Sequence, residues 1–206
     1  MSSVISDEYL ALQVEMHKNP NYGVASLGYA PIVADYFETN KLESVADYGA
    51  GKCNLRKGLI AAGVKNFDYF PYDPAFPDYG SFRSADLVCC IDVLEHIEDP
   101  CLDNVLTELA NKMPRYGFLT VHTGPAQKVL ADGRNAHLIQ QPFEWWVRRM
   151  TPYFEFHHMQ ASEDSKGFWL LVTSKEASVE SSPPLLSRCH YSSSLHNKKF
   201  SWFKRK

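Results

Sequence analysis

The sequence predicts an α/β protein built on a mostly parallel sheet, and three stretches carry that prediction. Ser44–Gly51 (S-V-A-D-Y-G-A-G) brings a short apolar strand to an acid, Asp47, and breaks into a glycine turn ahead of a helical pattern at Leu55, Leu59 and Ile60. Strand, glycine turn and helix in succession open a ligand crevice at the carboxyl ends of such strands. Asn66–Tyr72 (N-F-D-Y-F-P-Y) is aromatic and extended, with Pro71 required at an end or edge, and it finishes on Asp73-Pro74. Leu87–Ile91 is a continuous apolar run ending on Asp92, the pattern of a strand buried on both faces.

The remaining elements follow in order. Asp7–Lys18 has helical character and stops before Pro20; the segment N-Y-G-V-A-S-L-G reads as a loop, and Pro31–Thr39 as the helix leading to the first strand. Asp99–Met113 reads as a helix with Asp99 as cap and Pro100 at its first position. Gly117–His122 (G-F-L-T-V-H) is a further strand, Pro142–Met150 a helix, and Tyr153–Met159 with Gly167–Thr173 a closing antiparallel hairpin. Beyond residue 175 the composition changes. Residues 176–206 are serine-rich, lack periodicity and end on K-K-F-S-W-F-K-R-K, which predicts a flexible basic tail after a folded unit of residues 1–175. Cations interleaved with aromatics suit nucleic acid or an anionic surface; a solubilising tail would read the same.

Composition bounds the function. A chain of 206 residues with 45% hydrophobic content can bury one substantial core. Its net charge of −3 gives no global field for nucleic acid, and with six Lys and Arg in the tail the body before it is acidic. No apolar run approaches the ~18 residues of a membrane span, and the start M-S-S-V-I-S-D-E lacks a basic and apolar signal segment. The five cysteines (Cys53, Cys89, Cys90, Cys101, Cys189) show no C-x-x-C spacing, so reduced thiols in a cytoplasmic protein are expected.

The chemistry of the crevice narrows its ligand. Counted from Gly49, the last position of a G-x-G-x-x-G fingerprint is Asn54, and no G-K-[ST] occurs at the turn. Asp47 would repel phosphate and suit a cation. A cofactor with a nucleoside, a positive centre and no phosphate fits, and S-adenosylmethionine has those parts. Asp73 lies 22 positions beyond Gly51, the spacing at which an acid on the second strand meets ribose hydroxyls.

The set V-A-D-Y-G-A-G, Y-D-P and A-D-L-V-C-C-I-D-V-L-E-H-I-E-D-P resembles the class I S-adenosylmethionine-dependent methyltransferases over about residues 20–173. The resemblance implies a Rossmann-like sheet of seven strands with helices on both faces and an antiparallel last strand. It implies that Asp47, Tyr48, Gly49, Ala50 and Gly51 meet the methionine part of the cofactor, that Asp73 with Pro74 holds the ribose, and that Asp92 with Val93 closes near the transferred methyl. A loop before the first strand's helix often lids the cofactor in this family, which makes Tyr22 and Gly23 candidate neighbours. Two departures stand out. Cys53 replaces the third glycine of the first motif. Only 12 residues separate Asp73 from Asp86, too few for the usual helix, strand and helix, so a compact loop should replace the third strand. Phe76, Tyr79 and Phe82 are then the candidates to stack on adenine. A similar shortened form, including a G-R-N-A-H segment, resembles methyltransferase-like proteins of phage genomes.

The acceptor side is expected in the loop Lys128–Trp146, where Asp132, Arg134, Asn135 and His137 crowd together and Trp145 offers a flat wall. His96, His122 and His137 all fall near the carboxyl edge, with His137 and then His96 the choices for a general base and His122 for substrate contact; His157 and His158 lie in an outer strand. The acceptor is expected to be a hydroxyl or amine of a small polar molecule. Asp92-x-x-Glu95-His96 is also similar to the E-x-x-E-H metal motif of ubiquinone-pathway O-methyltransferases and small-RNA 2′-O-methyltransferases. That alternative implies Mg²⁺ or Mn²⁺ on Asp92, Glu95, His96 and His137, acting on RNA or a nucleotide. A catalytically silent binding module on the same fold is the remaining alternative.

Overall fold

The computed structural model describes residues 3–162 and 166–177; the basic tail and its expected partners lie outside them. Among the described residues six strands form one sheet in the order β2-β1-β3-β4-β6-β5. These are β1 (Ser44–Tyr48), β2 (Asp68–Tyr72), β3 (Leu87–Ile91), β4 (Tyr116–His122), β5 (Phe154–Ala161) and β6 (Gly167–Ser174). The first four run parallel, and β6 and β5 close the sheet antiparallel. Between β2 and β3 there is no strand, only a 3-10 turn at Pro77–Tyr79. The expected compact loop is what the chain builds, and β2, with Pro71 inside it, becomes an edge of the sheet.

Side-chain alternation divides the core between the two faces. Val45, Leu87, Cys89 and Phe118 pack with Val33 and Phe37 of α2 (Ser26–Thr39) and with Leu55 and Leu59 of α3 (Asn54–Ala61). Ala46, Val88, Cys90 and Leu119 pack on the other face with Leu102 and Leu106 of α4 (Leu102–Asn111) and Trp146 of α5 (Phe143–Met150). Cys89 and Cys90 therefore serve opposite faces as small apolar groups, and burial pushes both thiols up.

Two boundaries differ from expectation. Helix α2 begins at Ser26 rather than Pro31, which sits inside it. The buried contacts of Ala30 and Val33 outweigh the one backbone bond that a proline forfeits. Asp99 and Pro100 open a 3-10 turn that leads into α4, and Asp99 makes no side-chain cap. At the N-terminus α1 (Asp7–His17) starts where Ser6 accepts from the Tyr9 N–H, and Ser6 in turn donates its own N–H and hydroxyl to Glu98, both at 2.8 Å.

Helices α2 and α3 cross closely at Gly58, where an added Cβ would fall 2.4 Å from the Ala30 Cβ. In an open helix Gly→Ala gains up to about 1 kcal/mol. Gly58→Ala is expected instead to lose about 1–3 kcal/mol through overpacking, measured by urea unfolding; a gain would show that the two helices separate freely.

Candidate functional site

The glycine turn after β1 is stitched to the end of β2. The N–H groups of Gly49 and Ala50 both donate to the Tyr72 carbonyl, at 2.8 and 3.0 Å. The Gly51 N–H donates to Asp73 Oδ2 at 3.0 Å, and the Cys53 N–H to the Ala50 carbonyl at 2.8 Å. The turn therefore does not offer the free N–H groups that an anion cradle needs, in keeping with a ligand that carries no phosphate. Gly49 has φ +74°, and a Cβ there would lie 2.4 Å from Val93 Cγ2, so the end of β3 presses directly on the turn. Cys53 adopts φ +53°: the thiol residue keeps the left-handed backbone that a glycine would take without strain.

A cavity of about 350 Å³ lies over this turn, at the carboxyl ends of the parallel strands. Asp47, Tyr48, Gly49 and Ala50 line it from β1; Asp73 and Pro74 from β2; Asp92, Val93 and His96 from β3. His122 and His137 line it from β4 and the loop that follows, and Tyr22 and Gly23 from the N-terminal side. Asp73 is 8% exposed, with Oδ1 accepting from the Ala75 N–H at 2.9 Å as Oδ2 accepts from Gly51, so its carboxylate is fixed before any ligand arrives. Asp92 stands at φ +60°, its N–H donating to Thr120 Oγ1 at 2.9 Å. Strain of that kind is carried where an element end must aim a side chain.

Two of the histidines have defined tautomers. His137 Nδ1 lies 2.7 Å from the Gly124 carbonyl and His96 Nδ1 2.7 Å from the Ala136 carbonyl. A carbonyl only accepts, so each Nδ1 carries the proton and each Nε2 keeps a lone pair. Burial holds both rings below the usual histidine range, His96 down to about 4, so both are neutral at neutral pH. The rings of His137 and His96 meet edge to face at 4.7 Å, and His122 lies 4.9 Å from His137. Beneath them Glu95 is fully buried, its Oε1 accepting from the His122 N–H at 2.6 Å while Oε2 has no hydrogen-bond partner among the described residues. Burial and then the Asp92 carboxylate push its pKa well up. One ligand atom each of Asp92, Glu95 and His137 lies within 4.8 Å of the others. His96 is not part of that set.

Several expected residues fall elsewhere. Gly51 does not line the cavity; its N–H and carbonyl brace Asp73 and the Tyr79 hydroxyl. Asp132 and Arg134 face solvent and pair with each other at 2.7 Å across a tight turn, which satisfies their charges locally. Asn135 does not touch the cavity but holds its loop: Oδ1 accepts from the N–H groups of Ala126 and His137, and Nδ2 donates to the Ala126 carbonyl, each at 2.9 Å. Trp145 packs edge-on against Trp146 at 5.1 Å in the α5 core. Phe82 is buried against Tyr48 and Tyr72, and Phe76 stacks on Tyr79 outside the cavity wall. His157, on edge strand β5, meets Thr173 Oγ1 at 2.8 Å. Sequence reasoning missed Tyr9, Gln13 and His17, which α1 lays over the cavity as a roof.

No protein-family description matches this chain, and no curated protein matches it. Solved structures do. The mitomycin 7-O-methyltransferase MmcR superposes with TM-score 0.55 at 13% identity, over 79% of this chain and 60% of its own. The DhpI–SAH complex gives 0.53 at 14% over 83% and 99%, and an S-adenosylmethionine-dependent methyltransferase from Clostridium acetobutylicum ATCC 824 gives 0.52 at 11% over 81% and 99%. The chain has the Rossmann-like methyltransferase fold. It spans 60% of the length of the mitomycin enzyme, and at these identities the fold is what is shared. Within the methyltransferase fold the cavity sits where the strand order reverses around β1, the place at which open α/β sheets bind ligands.

Asp47 differs from expectation in kind. Its side chain is buried, accepts from the Tyr69 hydroxyl, and is pushed up to about 7, chiefly by burial. It is therefore only partly ionised at neutral pH. The folded pKa lies above the value of 3.8 for an ordinary aspartate, so the folded protein holds this proton to higher pH than the unfolded chain does. The stability present below pH 3.8 is then lost as pH rises to about 7, each pH unit across that window removing about 1.4 kcal/mol. Asp47→Asn should lose less stability than the wild type between pH 4 and 8 (roughly the window that linkage sets) in denaturant titrations. Equal losses would contradict the assignment.

Proposed function

We propose that this protein is an S-adenosylmethionine-dependent methyltransferase acting on a hydroxyl or amine of a small polar acceptor. The observation that carries the reading is one cavity with Asp73, held by two backbone N–H groups, at one end and the Nε2 lone pairs of His137 and His96 at the other. The residues fit the cofactor. Asp73 presents two carboxylate oxygens to a vicinal diol, the saturated turn at Gly49 and Ala50 admits close backbone contact without seeking phosphate, and Asp92 with Val93 borders the centre. S-adenosylmethionine supplies an already activated methyl group. What remains for the chain is alignment and proton removal. His137 Nε2 takes the acceptor's proton, His96 and His122 hold its ring in place, and Asn135 fixes the backbone that carries it. Tyr9, Gln13 and His17 of α1 roof the cavity. The modest cavity and the acidic body favour a small acceptor over a polyphosphate one.

Calorimetric titration with S-adenosylhomocysteine tests the cofactor. Wild type should bind, and Asp73→Ala should bind about 5- to 150-fold more weakly, as expected for about 1–3 kcal/mol of lost hydrogen bonding. No binding at millimolar ligand to a folded protein would leave a silent module on this fold. His137→Ala should keep its S-adenosylhomocysteine affinity and slow labelled methyl transfer to a responsive metabolite by about 10²-fold or more.

The cluster of Asp92, Glu95 and His137 favours a second reading in which these three hold Mg²⁺ or Mn²⁺. The buried, unpartnered Glu95 Oε2 fits a cation's donor set. A bound divalent ion would polarise an acceptor oxygen, the chemistry suited to a 2′-hydroxyl of RNA or a nucleotide. Under this reading methyl transfer is abolished by chelation and restored by Mg²⁺ or Mn²⁺; activity indifferent to chelator leaves His137 as the base.

A further inference from the structure

The geometry points to His17 as a stand-in for the cofactor's ribose: its imidazole occupies the space in front of Asp73 and over Gly51, and the nucleoside takes that seat when the ring turns out of it. This rests on the reading of Asp73 as the ribose carboxylate. His17 Nε2 lies 3.8 Å from Asp73 Oδ2, with the two side chains 12% and 9% exposed. A Cβ added to Gly51 would fall 3.1 Å from His17 Cε1, so the ring lies against the bare face of the turn. Tyr22 and Phe76 close on it edge to face, each at 4.9 Å.

The seat is filled but poorly satisfied. His17 Nδ1 is buried without a hydrogen-bond partner among the described residues, and the 3.8 Å approach of Nε2 to Asp73 exceeds a hydrogen bond. Asp73 does not need the imidazole for its orientation, because Gly51 and Ala75 already hold both oxygens. A ligand bringing two hydroxyls would make the bonds that the histidine does not.

The backbone that carries the ring is pinned on both sides of it. Beyond the helix, Lys52 Nζ donates to the carbonyls of Asn19 and Tyr22 at 2.8 and 3.0 Å, and Lys128 Nζ to the Asn21 carbonyl at 2.8 Å. Asn54 Nδ2 donates to the Gly23 carbonyl at 2.9 Å. At the start of the helix the latch is Ser6 on Glu98. Between those bonds Tyr9 packs with Leu130 and Ala136, and His17, the last residue of α1, stands two positions before the Asn19 carbonyl that Lys52 holds; the backbone stays in place, and the ring leaves its seat by turning about its own side-chain bonds.

The test uses the full chain and S-adenosylhomocysteine, with affinity from calorimetry and association rate from stopped-flow intrinsic fluorescence. His17→Ala should bind about fivefold tighter or better, since the closed state no longer competes with the ligand. It should also associate faster than wild type, since no ring has to turn out of the seat first. If His17→Ala binds more weakly, the imidazole is a ligand contact and the proposal fails; if His17→Ala matches wild type in affinity and rate, the ring does not compete for the seat and the proposal fails. If neither wild type nor His17→Ala binds, the cofactor reading falls and the proposal with it, an outcome distinct from the other two.

Discussion

The site depends on one seam. The Tyr72 carbonyl takes two N–H groups from the turn after β1, and Asp73 takes the third. Those bonds tie the first glycine turn to the tip of the neighbouring strand, so turn and carboxylate move as one body. They also consume the donors that would otherwise make this an anion-binding corner. The seam therefore sets both the rigidity of the floor and the kind of molecule it suits, before any side chain from the roof or the β4 loop is considered. Val93 pressing on Gly49 extends the same body to β3, and Asp92 inherits its strained backbone at that junction.

A second body faces it. The loop after β4 is folded on itself through Asn135 and returns two carbonyls, Gly124 and Ala136, to the histidines. Each carbonyl fixes a tautomer, and in a dry pocket the tautomer decides whether a ring accepts or donates toward a ligand. The two bodies meet through β3 and β4, paired in register from Leu87 and Tyr116 to Ile91 and Thr120.

What the sequence disclosed follows from how local each signal is. The turn at Asp47–Gly51 and the run Leu87–Ile91 were legible because glycine spacing and unbroken apolarity act over a few residues. Leu87–Ile91 has the bounds expected of it. The loop in place of a third strand was legible from length alone. Asp132 and Arg134 misled because polarity in a loop does not say where it points; theirs is answered by each other, two residues apart. The start of α2 was hidden by Pro31, whose cost is offset by packing that only the folded chain creates. Tyr9, Gln13 and His17 carry no motif at all. Their place over the cavity is set by Glu98, Lys52 and Lys128, each far from them in the chain.

The missing third strand has a consequence for how the molecule behaves in company. Among the described residues the outer rim of β2 has no neighbouring strand, and an open rim is a template on which another chain can add itself. This rim is a poor template. Pro71 has no N–H to give an incoming strand, and guanidinium groups lie over two of its rings: Arg83 at 3.9 Å from the Phe70 centroid and Arg56 at 6.0 Å from that of Tyr69. The shortening of the fold is thus matched by a proline in the rim it leaves open and by two arginines laid over that strand's rings.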